Sequence, residues 1–413
     1  DRLTRKPVPY ATVFERKQLV AAMTDEQGNF SLNLKKRSNT DSISVSRISY
    51  ADTIISLRPE DGNNIEISIT MMDKSLDSVV VQMMQRSWLS KSILSSRQIV
   101  NSINLNQFFT KQPFQFSLLP GIGSHGKMSS QSVNKFSFNL LGGYNGGVNG
   151  LELAGLYNIT NRDVRYVQVA GLFNKAGGKA EGLQLAGLFN KDSSMKGFQA
   201  AGLFNKTVKT HGFQMAAFNE NDTMQGFQAG AVNLNRKFKG VKIGIINVAD
   251  TIEGIPIGLV NIGKSGIHRL SLSYNEMGFG LVSYKSGNPK FYNILVAGSS
   301  LNFNEKAFSI GYGFGKEMNI SNAFSINPEL TSLFFLNGNK EKQNISGRLQ
   351  LNLQFKISRS FSLYAGPAIM ALYSKPGIIP EGYKADLSNG ATHFKVAKNT
   401  IGWFGWNVGI NLF

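Results

Sequence analysis

The stretch "GLQLAGLFN", residues 182–190, returns almost letter for letter as "GFQAAGLFN" at 197–205. It is preceded by "GLELAGLYN" and "YVQVAGLFN" and followed by "GFQMAAFN", "GFQAGAVN", "GVKIGIIN" and "GIPIGLVN". Aligned on their last letter, the lines end at Asn145, Asn158, Asn174, Asn190, Asn205, Asn219, Asn233, Asn247 and Asn261. A period of roughly 14 to 16 residues is too short for helical-pair solenoids or propeller blades and suits about one strand plus a turn. Within the strand, Leu183, Leu185, Gly187 and Phe189 share one face, and Gln184, Ala186, Leu188 and Asn190 share the other. Charges crowd into the turns "NRDVR", "KAGGKAE", "KDSSMK" and "NRKFK".

Two architectures fit such a strand. In one, it crosses a bilayer as part of an antiparallel barrel, with every backbone group paired inside the closed wall. In the other, it is one coil of a soluble parallel β-solenoid. The tail of the chain favours the barrel. After residue 267 the repeats decay while alternation continues: Arg348, Gln350, Asn352, Gln354 and Lys356 lie on one face, with Leu349, Leu351, Leu353, Phe355 and Ile357 on the other. The expected fold is all-β, with an antiparallel transmembrane barrel of about 16 strands, or 18, over residues 134–413, its repeats at 134–265. The short "SRS" turn at 358–360 is placed on the periplasmic side, and "NGNKEKQ" and the 374–398 segment outside. The terminal "WFGWNVGINLF" resembles the closing signal of bacterial outer-membrane barrels, although Trp406, Val408, Ile410 and Leu412 run one residue out of phase with Phe413.

The first eighty residues read as a small β-sandwich: short alternating runs separated by "DEQGN" and "DGNN" turns, with Phe30, Leu32 and Leu34 alternating toward a core. Tyr10-Ala11-Thr12-Val13, Thr24-Asp25-Glu26-Gln27-Gly28-Asn29-Phe30 and Leu76-Asp77-Ser78-Val79-Val80-Val81 together resemble the carboxypeptidase-regulatory-like domain, a prealbumin-like module. That domain stands ahead of many outer-membrane receptors of the TonB-dependent type. The resemblance covers residues 1–81 and implies a non-catalytic periplasmic adaptor. Its usual first strand is missing, so the chain is expected to start after processing or trimming. Residues 82–133 read as a basic linker with one short helix, too short for the plug of such a receptor. The segment 113–265 is similar to a group of proteins carrying a regulatory-like domain ahead of "GLQ-AGL-N" strands, which implies an envelope location more than an activity.

The chemistry is sparse. There is no cysteine, so thiolate catalysis and cysteine-held metals are excluded. His125, His211, His268 and His393 show no ligand spacing, and Glu152 and Glu329 stand alone in their strands. "GIGSHG" at 121–126 matches a dinucleotide fingerprint only in its glycines, without the helix and acid that the fingerprint needs. The net charge of +18 is scattered over turns and linker without a nucleic-acid motif. No catalytic, cofactor-binding or metal residues are therefore expected, and no nucleic-acid partner. The expected role is a non-enzymatic scaffold or accessory subunit in the outer membrane of a Gram-negative cell. Its expected partners are lipid and other outer-membrane or periplasmic proteins. The alternative is a passive diffusion channel, which normally lines its constriction with charge.

Overall fold

In the computed structural model, residues 1–35, 42–58, 62–72, 92–264, 266–338, 344–358, 360–375 and 377–412 are described. Leu76 to Val81, residues 82–91 of the expected linker and the terminal Phe413 lie outside them. The chain divides into two compact units, Asp1–Ala217 and Phe218–Phe413.

The first unit opens with a four-stranded antiparallel sheet formed by Thr12–Glu15, Val20–Met23, Ser42–Ser46 and Thr53–Ser56. Val13, Ile43, Val45, Tyr50, Leu57 and Ile69 form its core. Phe30, Leu32 and Leu34 pack against that core, as their alternation requires.

The linker reading is corrected for residues 92–133. Helix Ser96–Asn104 starts at a capping box in which Ser95 and Gln98 satisfy each other's backbone N–H. One side of this helix joins the sheet, with Asn104 Nδ2 donating to Thr12 Oγ1 at 3.0 Å. Another side meets the repeats, where Ile93, Leu94 and Ile99 pack with Tyr144, Tyr157, Phe173 and Phe189. The strand Thr110–Leu119 then pairs with Ser132–Asn139.

That pairing is parallel, and so are all the repeat pairings that follow. The barrel expectation for 134–265 is thus overturned: the repeats form a solenoid-like parallel stack. Leu183 faces Val167 on one side and Phe198 on the other; Gln184 lies between Gln168 and Gln199. Each coil has one side such as Lys179–Ala186 and a second side that begins at Phe189. The nine-letter phrase is therefore not a single strand. It holds the end of one strand, a corner at Gly187-Leu188, and the start of the next. A Cβ at Gly187 would lie 2.1 Å from the carbonyl oxygen of Gly171 in the preceding coil, so the corner demands glycine. Gly182 has φ +114°, with the equivalent Gly197 at +127° and Gly212 at +131°.

In the second unit the repeat continues, again in parallel register, through Phe218–Ala229, Val232–Ile243, Ile246–Ile252, Ile255–Ile257 and Val260–Gly263. From Ile267 the geometry changes. Strands Ile267–Asn275, Phe279–Asn288, Phe291–Ser300, Phe308–Gly315, Phe324–Leu336, Asn344–Lys356, Phe361–Ser374 and Thr400–Leu412 pair antiparallel in sequence order. The first also pairs with the last, Leu270 opposite Leu412, which closes the wall. The barrel has eight strands where 16 were expected, because the repeats contribute none to the ring. The "QPFQFSLL" segment, residues 112–119, belongs to the first parallel rung and not to the ring.

Candidate functional site

The solenoid interior is built from amides. Asn158 Nδ2 donates to Asn174 Oδ1 at 2.9 Å, Asn174 to Asn190 at 3.0 Å, and Asn190 to Asn205 at 3.0 Å. In the second unit Asn219, Asn233, Asn247 and Asn261 form the same ladder at 2.8–2.9 Å. Each of these eight asparagines is fully or almost fully buried. Parallel in-register stacking sets each amide directly over its copy, so both its donor and its acceptor find partners. Asn145 departs from the alignment made on sequence. It lies beside Thr160, and Gly143 occupies the ladder position, whose space is filled by the Asn139 amide reaching Asn158 at 2.9 Å.

A second ladder runs through the glutamine column: Gln184 Nε2 donates to Gln168 Oε1 at 2.9 Å, and Gln199 to Gln184 at 2.6 Å. Glu152 continues this column and faces inward as the alternation requires, but into the solenoid and not into a barrel lumen. It accepts from Asn145, from Gln168 at 2.8 Å, from Asn139 at 3.2 Å and from Thr160 at 3.3 Å. Burial outweighs these donors and pushes the Glu152 carboxyl up to about 7. Asp192 bridges Gln184 and Gln199 at 2.9 and 2.5 Å, and its carboxyl is likewise pushed up to about 7 by burial. Lys242 takes the glutamine position beside Gln228, where burial lowers its ammonium to about 7. None of these groups sits beside a nucleophile or a second acid arranged for catalysis.

The barrel has the opposite polarity to a soluble one. Along Asn344–Lys356, Leu349, Leu351, Leu353 and Phe355 point outward and are exposed; Arg348, Asn352 and Gln354 point inward and are buried. This is the face assignment read from sequence. Phe404, Trp406 and Val408 extend the outer apolar band on the last strand, with Asn407 and Asn411 inside.

The interior is filled. Arg348 grips Glu276 through both guanidinium nitrogens, at 2.7 and 3.0 Å. Glu329 does not stand alone: it pairs with Lys285 and accepts from Tyr292 and Gln350, each at 2.7 Å. Glu317 joins Arg269 and Lys356. A cavity of ≈ 30 Å³ bounded by Ser283, Lys285, Glu329 and Asn407 is the size of about one water. Toward the end that carries the 375–399 segment, Leu333, Phe335, Met370, Leu372 and Trp403 form an apolar plug, completed by Leu387 from that segment.

The four histidines are not brought together by any contact. His125 Nδ1 lies 3.0 Å from Gln115 Oε1, and His268 Nε2 lies 2.9 Å from the Gly263 carbonyl. His211 and His393 are exposed. "GIGSHG" forms a turn with the short pairing of Ile122–Gly123 and runs into the 3-10 segment Gly126–Gln131. Among the described residues no group of three or more His, Asp or Glu could hold a metal ion, and no helix is long and apolar enough to cross a membrane.

Comparison with known proteins adds one family. No curated protein and no solved structure matches the chain. Residues 1–81 match the family of the CarboxypepD_reg-like domain, and the N-terminal domain belongs to it.

Proposed function

We propose that this protein is a non-catalytic scaffold of the Gram-negative outer membrane, anchored by its eight-stranded barrel and presenting its solenoid and regulatory-like domain to the periplasm. The observation that carries this reading is the inverted polarity of the barrel: an exposed apolar wall around a buried interior of paired charges. In water such a wall would expose a contiguous apolar patch far beyond the few hundred Å² typical of soluble monomers. In a bilayer it is the required surface. Antiparallel order sets the turns at 289–290, 316–323 and 357–360 at the end where the chain enters at Ile267, with the 301–307 and 375–399 segments at the other. Short turns on the periplasmic side and long ones outside are the usual disposition of such barrels.

The filled interior favours a scaffold over the diffusion channel, because the apolar plug and the ion pairs occupy the path a solute would take. The test is to purify the full chain from outer membranes in mild detergent and compare it with a chain lacking residues 1–81. The scaffold reading expects stable partner proteins that depend on the regulatory-like domain. Steady ohmic openings from the pure protein in planar bilayers, with no stable partner, would overturn it in favour of a channel.

A further inference from the structure

In the first unit the early coils of the solenoid are covered on one side and bare on the other. The helix segment packs on the side carrying Tyr157, Phe173 and Phe189. The opposite side has outward columns of apolar residues in register. One runs Phe114, Phe136, Leu151, Val167, Leu183, Phe198 and Phe213 over seven rungs. At about 4.8 Å per rung this column is roughly 29 Å long. A corner column of Leu156, Leu172, Leu188 and Leu203 runs beside it, each backbone N–H donating to the leucine before it. Leu203 is 55% exposed and Phe213 is 54% exposed. No core needs these residues outside, since the interior is already filled with amides.

The charges around this face have one prevailing sign. On the strands of this side and the turns leading into them, between residues 147 and 217, the exposed cations are Arg162, Arg165, Lys179, Lys196 and Lys209, while the outward acids are Asp163 and Glu181. An apolar face edged by cations is the surface pattern of elements that rest on anionic lipid. Within the second unit the equivalent columns hold Val241 and Ile255 and, at the corner, Ile245 and Leu259. There the last coil meets the outer wall of the barrel: Tyr312, on that wall, donates its hydroxyl to the Gly258 carbonyl at 2.9 Å, next to Leu259. In this unit, then, the solenoid's apolar corner adjoins the barrel's apolar band.

We infer that the bare apolar side of the solenoid is a lipid-binding surface that lies on the periplasmic leaflet, its leucine and phenylalanine columns in the acyl boundary and its lysines at the phosphates. This rests on reading the barrel as membrane-embedded. In the second unit the equivalent apolar columns adjoin the barrel band, and in the first the cationic border complements an anionic leaflet, which a second copy of the same basic chain would not.

The absence of cysteine makes a clean test possible. Full-length Leu203→Cys, Lys191→Cys and Ile369→Cys proteins, each carrying a small fluorophore, are reconstituted in phosphatidylethanolamine–phosphatidylglycerol vesicles with or without brominated acyl chains. Leu203 reports the solenoid face, Lys191 the other side, and Ile369 the barrel wall. The expected result is bromine quenching at Leu203 and Ile369 several-fold stronger than at Lys191. Quenching at Ile369 with Leu203 no different from Lys191 overturns the lipid surface and leaves the barrel reading intact. No quenching at any site defeats both. Cross-linking of Leu203→Cys between two copies without quenching assigns the face to self-association and also overturns the inference.

Discussion

Lys242 is a single residue out of keeping with its column. In the inward row it stands between Gln228 and Pro256, yet it is fully buried, and among the described residues its Nζ reaches only the Val248 carbonyl at 3.4 Å and the Phe238 ring at 4.4 Å. Its folded pKa of about 7 lies below the unfolded value, so folding releases a proton. The penalty is full below pH 7 and fades as pH rises toward the ordinary lysine range. Lys242→Gln is expected to stabilise the fold by about 1–3 kcal/mol at pH 7, read by chemical denaturation. Glu152 and Asp192 carry the opposite sign. Their folded carboxyls titrate near 7, above the unfolded range near 4, so the protonated form is favoured by folding. Stability from these two is complete below about pH 4 and is lost as pH rises through 7. Hydrogen exchange in residues 147–217 is therefore expected to be slower at pH 5 than at pH 8 after correction for intrinsic rates. Glu152→Gln with Asp192→Asn is expected to flatten that difference, on the order of 3 kcal/mol per site at full shift. An unchanged pH profile in the double variant would refute this account.

At the level of the element, a repeated strand can run in a coil or cross a bilayer, and the two differ in which face tolerates charge. In a bilayer barrel an arginine at Leu185 would cost roughly 2–4 kcal/mol, and one at Gln184 would be absorbed by the lumen. In the solenoid the order reverses. Gln184 is buried between Gln168, Gln199 and Asp192, so Gln184→Arg breaks two ladder bonds and overfills the interior. It is expected to cost several kcal/mol, on the order of 3 or more, whereas Leu185→Arg is expected to cost less than about 1 in detergent. Parallel thermal melts of the two variants check this directly. The same logic applied to the barrel strand Asn344–Lys356 gives the opposite pattern. There Leu351→Arg on the outer wall should impair membrane assembly. Arg348→Ala, which strands the Glu276 carboxylate inside, is expected to cost about 3–5 kcal/mol.

For the whole molecule, a wall closed by the pairing of the first barrel strand with the last has no free edge. Such a barrel is expected to resist sodium dodecyl sulfate until heated, giving two mobilities on unheated and heated gels. The interior ion pairs and the apolar plug also lead to the expectation of no steady conductance for the pure protein in planar bilayers. Identical mobility with and without heating, together with recovery without detergent, would remove the membrane anchor from the proposed function.

The residues of this chain determined a great deal by themselves. The regulatory-like domain was legible in its turn chemistry and alternating core, and the period of two gave Gln184 inward and Leu351 outward. But it put Leu188 on the face of Gln184, whereas the corner after Ala186 turns Leu188 outward, 39% exposed. Alternation alone says which side a residue faces, but not which strand lies next to it. A β-strand offers the same backbone donors and acceptors to a parallel or an antiparallel neighbour. The clue was the direction of the repeat. Every line runs in the same direction and ends on its asparagine, so only parallel neighbours can bring Asn174 beside both Asn158 and Asn190. Antiparallel hairpins would reverse every second line and separate those amides. Likewise Glu329 looked solitary because its partners Lys285 and Tyr292 lie far from it in sequence and are brought together only by closure of the barrel. The number of strands in the ring, the filling of its interior and the bare apolar side of the solenoid were settled by pairing across the chain, which local sequence does not encode.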